Sequence, residues 1–106
     1  MDVFELSEVP SRELLEGTEV RFVHSETMTV AYWRFEAGVP LPEHSHPHDQ
    51  ITNVIEGKFD LTVNGKTTRL EAGSVAIIPP HASHSGKAVT ECRIIDVFHP
   101  VREDYV

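Results

Sequence analysis

Alternating apolar and polar positions, the period-two signature of a half-buried strand, recur along most of this chain. The alternation is cleanest from Lys58 to Val63. Phe59, Leu61 and Val63 fall on one face there, and Lys58, Asp60 and Thr62 on the other. Asn64-Gly65 follows, the pair most favoured in a two-residue type I′ hairpin turn, and Lys66 to Leu70 forms the return strand. Further strands are predicted over Glu19 to His24, Thr27 to Phe35, Ile51 to Ile55, Ser74 to Ile78 and Val89 to Phe98, all rich in β-branched or aromatic residues. Gly38-Val39-Pro40-Leu41-Pro42 reads as a break. A single short helix is expected from Ser11, as N-cap, to Glu16, with Gly17 ending it. Short strands divided by turn signals predict an all-β barrel or sandwich.

At 106 residues the chain holds one core, so a single domain is expected over 1–106. Its formal net charge of −8 argues against attraction to nucleic acid or to an anionic membrane. A small anionic substrate stays compatible, because a few local cations decide its binding. Cys92 is the sole cysteine, which excludes an intrachain disulfide and a cysteine-built zinc site. The first 17 residues are acidic and lack the apolar stretch of a secretory leader, and no apolar run approaches the ~20 residues of a membrane-spanning helix. The expectation is a soluble cytoplasmic protein.

The candidate chemistry lies in His44, His46, His48 and Gln50. In an extended chain these alternate positions share one face and can converge on a point. Neutral imidazole is the commonest protein ligand of divalent transition metals. His84, beyond a strand-like run, could close such a site. Pro47 is expected to turn His48 away, and His81 to sit at the barrel mouth. Gln50 offers a neutral carbonyl oxygen, so the ion keeps its full charge and favours an anionic ligand in its open positions. Ligand type allows Ni, Zn, Mn or Fe.

Asp96 draws attention for another reason. In the last strand it shares a face with Cys92, Ile94 and Phe98, so it is expected to point inward among apolar groups. Burial raises a carboxyl pKa toward neutrality, which suits proton transfer. The alternative is a structural ion pair with an arginine such as Arg34. Arg102 follows Pro100, where the chain leaves the barrel. It either folds over the mouth, where its guanidinium matches a carboxylate, or remains a solvated tail residue. Phe98 is expected to pack in the core, line the pocket, or do both.

These residues carry a resemblance to the cupin superfamily. Its first motif, G-x5-H-x-H-x3,4-E-x6-G, is matched from Gly38 through His44, His46 and Gln50 to Gly57, with glutamine in place of glutamate. Its second, G-x5-P-x-G-x2-H-x3-N, is matched at Gly73, Pro79 and His84, with His81 and Ala88 replacing the glycine and the asparagine. The motifs span 38–57 and 73–88. The tail from Asp96 to Tyr105 resembles KdgF-type pectin-degradation cupins, in which an Asp, a Phe and an Arg are spaced D-x-F-x3-R, as are Asp96, Phe98 and Arg102 here.

The resemblance implies a jelly-roll barrel with one divalent metal held by His44, His46, Gln50 and His84. It implies Asp96, Phe98 and Arg102 as substrate-site residues, and ring-opening ketonisation of 4,5-unsaturated monouronates from pectin or alginate. The expected partner is a small anionic sugar acid. A homodimer is also expected, with an N-terminal strand near Val3 to Leu6 pairing with a second copy. Two other readings fit the same scaffold: a metal-dependent dioxygenase, and a sugar-binding or sensor cupin without turnover.

Overall fold

The computed structural model describes all residues, Met1–Val106. Nine strands form two antiparallel sheets packed face to face: β1 (Thr18–His24), β2 (Thr29–Phe35), β3 (Pro40–His44), β4 (Asp49–Glu56), β5 (Phe59–Val63), β6 (Lys66–Leu70), β7 (Val75–Ile78), β8 (His84–Ala88) and β9 (Cys92–His99). The larger sheet has the order β1-β2-β9-β4-β7 and the smaller β3-β8-β5-β6. This is the all-β architecture expected from the strand pattern, in the jelly-roll form that the resemblance implies. No helix is long and apolar enough to cross a membrane.

The core fills the gap between the sheets. Phe35, Val54, Ile78, Cys92 and Ile94 from the larger sheet meet Phe59, Leu61, Leu70 and Ala88 from the smaller. Fully burying an aliphatic or aromatic side chain of this size gains about 1.5–3 kcal/mol, so the alternation fixes which face turns inward. On β9, Cys92, Ile94, Asp96 and Phe98 are buried as that parity requires. The β5–β6 hairpin closes through Asn64 (φ 48) and Gly65 (φ 82), the two left-handed residues of a type I′ turn. Gly57, at the end of the first motif, has φ 90, and a Cβ there would strike the carbonyl of Glu91.

Four expectations are corrected. Ser11 to Glu16 forms no helix. Arg12 instead makes a two-bond bridge to Val20 at 2.9 Å in each direction, and the Thr18 hydroxyl donates to the Leu15 carbonyl at 2.7 Å. So short a helix lacks the length to repay its nucleation, and pairing with β1 prevails. Val3 to Leu6 forms no strand either. A 3-10 turn occupies Leu6–Glu8, where the strand was expected to end. β3 begins inside the expected break at Gly38 to Pro42, and the long strand from Val89 begins only at Cys92, after β8 has ended at Ala88.

Candidate metal centre

β3 and β8 are neighbours in the smaller sheet, and their register sets His44 directly opposite His84. His46 lies in the short connection between β3 and β4, and Gln50 enters from the start of β4 in the larger sheet. The centre therefore forms where the two sheets meet. The ring centroids of His44 and His84 are 4.1 Å apart, those of His46 and His84 5.0 Å, and those of His44 and His46 5.8 Å. One ring nitrogen from each of the three lies within 4.8 Å of the others, so the three histidines are positioned to bind a metal ion.

Hydrogen bonding orients two of the rings. Nδ1–H of His84 donates to the Ala82 carbonyl at 2.9 Å, and Nδ1–H of His44 donates to the Pro42 carbonyl at 2.8 Å. A carbonyl can only accept, so each Nε2 is left with a bare lone pair. Nε2 of His84 is buried with no hydrogen-bond partner in the protein. A buried polar atom in this state is costly unless a ligand engages it, and a divalent cation fits. Burial also keeps the imidazoles of His46 and His84 neutral. The pKa of His46 falls to about 4, first through desolvation and then through the nearby charges of Arg102 and His84. Desolvation lowers His84 as well. Neutral imidazole is the ligating form.

Gln50 is 6% exposed, and its Oε1 lies 3.0 Å from Nε2 of His46, on the side of the histidines. Its amide Nε2 donates to Thr52 Oγ1 at 3.0 Å, and the Thr52 hydroxyl donates to Oδ1 of Asp96 at 2.7 Å. A hydrogen-bonded row thus runs from His46 to Asp96. Burial raises the Asp96 pKa to about 6, while Thr52, Gln50 and the Arg102 charge pull it partly back. The structural alternative for Asp96 does not hold, since Arg34 faces Glu91 at 3.7 Å.

Arg102 is 6% exposed and not a solvated tail residue. Its guanidinium carbon lies 4.8 Å from the centroid of the Phe98 ring and 4.4 Å from that of Tyr105. Its backbone N–H donates to Thr29 Oγ1 at 2.9 Å. Arg102, Phe98, Asp96, Gln50 and His44 border one cavity of about 440 Å³, whose other walls include Leu14, Trp33, Leu41 and Tyr105. That volume suits a small molecule. His48 is half-buried with its ring 5.4 Å from that of His46, outside the cluster of three. His81 is exposed, and only its backbone N–H touches the site, donating to the His46 carbonyl at 2.8 Å.

Sequence reasoning missed Thr52, Leu14, Asp104 and Tyr105. Thr52 carried a readable signal, since it shares the parity of Gln50 on the same strand. Leu14 and Tyr105 carried none, because the turns that bring them to the cavity depend on the finished sheets.

Two antiparallel sheets closed around clustered histidines define a cupin. The cupin-domain profile matches residues 31–98, and the chain belongs to that family. It is 28% identical over 102 residues to the pectin degradation protein KdgF of Dickeya dadantii, covering 93% of this chain and 93% of that protein. The crystal structure of KdgF from Halomonas sp. superposes with a TM-score of 0.93 at 27% identity, over 100% of this chain and 99% of the other. An RmlC-like cupin from Shewanella frigidimarina superposes with a TM-score of 0.89 at 29% identity, over 94% and 91%.

Proposed function

We propose that this protein is a metal-dependent enzyme of KdgF type that opens and ketonises 4,5-unsaturated monouronates. One observation carries the reading: in a chain that matches KdgF end to end, a buried carboxyl, Asp96, borders the same cavity as Gln50 and His44, one of the three clustered histidines. His44, His46, His84 and Gln50 would hold a divalent ion, whether Ni, Zn, Mn or Fe, which would supply Lewis-acid chemistry to an anionic substrate.

The rest falls to the protein. Asp96 moves one proton. It takes the proton of the anomeric hydroxyl as the C1–O5 bond breaks and the C1 carbonyl forms, and it delivers a proton to C4 as the enolate oxygen becomes the C5 ketone. No atom is gained or lost, so one carboxyl suffices. A carboxyl with a pKa near 6 is suited to both halves of this transfer. Arg102 holds the substrate's negative charge through the guanidinium edge that Asp104 leaves free. Phe98 and Trp33 supply apolar walls that restrict water around the reacting carbons.

The test is the ultraviolet absorbance of an unsaturated monouronate. Its enol-ether band should decay faster with metal-loaded protein than without it. A decay rate equal to the spontaneous one removes the assignment.

A further inference from the structure

Thr52 carries a buried hydroxyl that is hydrogen-bonded on both sides. It is 4% exposed, faces inward on β4 between Gln50 and Val54, and stands opposite Asp96 in the β4–β9 register. Valine would fill the same space with no hydroxyl to satisfy. The hydroxyl has one proton, and that proton goes to Oδ1 of Asp96 at 2.7 Å. Its oxygen is then left as an acceptor toward Gln50. Only the NH2 end of the Gln50 amide can meet an acceptor, and it does so at 3.0 Å. The amide oxygen is thereby turned to the opposite side, 3.0 Å from Nε2 of His46.

We propose that Thr52 is a positioning residue that sets the Gln50 amide so that its oxygen, and not its nitrogen, faces the metal centre. A glutamine ligand needs such a device because its two ends are nearly equal in shape and only one can bind a cation. A glutamate has two equivalent oxygens and needs none. Asp96 completes the device by accepting the hydroxyl proton, which ties the orientation of a ligand to the carboxyl bordering the cavity. Groups that hold a metal ligand in place are commonly worth 10–100-fold in metal affinity. The inference rests on the metal-site reading above.

The experiment measures Ni²⁺ affinity of the full chain by competition with a chromogenic chelator, together with the melting temperature of the metal-free protein. Thr52→Val should weaken Ni²⁺ binding about tenfold or more, and the metal-free protein should melt somewhat lower than the parent, because Asp96 and Gln50 each lose a buried partner. Thr52→Ser, which keeps the hydroxyl, should bind within about threefold of the parent, on the same scale. The decisive arm is the Gln50→Glu background, where adding Thr52→Val should cost less than about threefold, because a carboxylate has no wrong end. Equal losses in both backgrounds would overturn the proposal, as would parent-like affinity of Thr52→Val. If the parent chain itself binds no Ni²⁺, the metal reading fails and Thr52's role falls with it. If the parent binds and only the Thr52 arms fail, the metal reading stands.

Discussion

Arg102 and Asp104 form a two-pronged pair two residues apart, with Nε donating to Oδ1 at 3.0 Å and Nη2 donating to Oδ2 at 2.7 Å. The contact commits one edge of the guanidinium while Phe98 and Tyr105 hold its plane. Hydrogen bonding from Arg102, and then its charge, hold the Asp104 carboxyl below the usual carboxylate range. A lysine retains the charge but neither stacks nor forks. Arg102→Lys should therefore raise KM for a monouronate about tenfold with a smaller change in kcat, the pattern of lost binding rather than lost chemistry. Steady-state kinetics checks this, and an unchanged KM would remove Arg102 from the substrate site.

Metal binding should depend on the buried imidazoles. His46→Ala and His84→Ala should each retain less than about a tenth of the metal of the parent protein, within the range for losing part of a metal's surroundings. Elemental analysis after dialysis reads this directly. Stripping the parent with a chelator should lower its melting temperature, and adding back a divalent ion should restore it, because a ligand of the folded state stabilises by mass action. A melting temperature insensitive to both treatments would count against a resident metal.

Asp96→Asn keeps the size of the side chain and a carbonyl oxygen for the Thr52 hydroxyl, but it cannot shuttle a proton. Turnover should fall by about 10²–10⁴, the usual worth of a general acid or base. Metal content should stay at the parent level, since Asp96 is not among the clustered histidines. A fully active variant would contradict the proton-transfer role.

The buried acid and the buried base give opposite pH signs in the metal-free protein. His46 falls from 6.5 to about 4 on folding, so between these values the unfolded chain binds its proton and the native state does not. Stability from His46 is complete above pH 6.5 and is lost as pH falls toward 4; His84 acts in the same direction. Asp96 rises from 3.8 to about 6, so its contribution is full below 3.8 and is lost as pH rises through 6. The two slopes oppose each other between pH 4 and 6. Asp96→Asn should unmask the histidine slope, with stability rising up to about 1.4 kcal/mol per pH unit more steeply than in the parent. Urea midpoints at pH 4.5 and 6 decide it, and parallel profiles for the two proteins would sink the expectation.

By itself the sequence determined what depends on alternation and spacing. The inward parity of Ile94, Asp96 and Phe98 was legible because one face of β9 is apolar, and a shift of one residue would expose it. The Asn64-Gly65 hairpin was legible because few residue pairs accept two left-handed conformations. The histidine spacing announced a ligand cluster before any coordinates. What had no local signature was left to the tertiary structure. β8 reads His-Ser-Gly-Lys-Ala and β3 begins with a proline, so neither shows an apolar rhythm; each is a strand because its neighbours offer backbone hydrogen bonds. The same cause replaced the expected helix at Ser11 to Glu16 with a bridge to β1. Closure of the sheets also brought Thr52 against Asp96 and Leu14 to the cavity wall. Periodicity reports which face of a strand is wet, whereas the partner across that face depends on register and on loops that exist only once both sheets have closed.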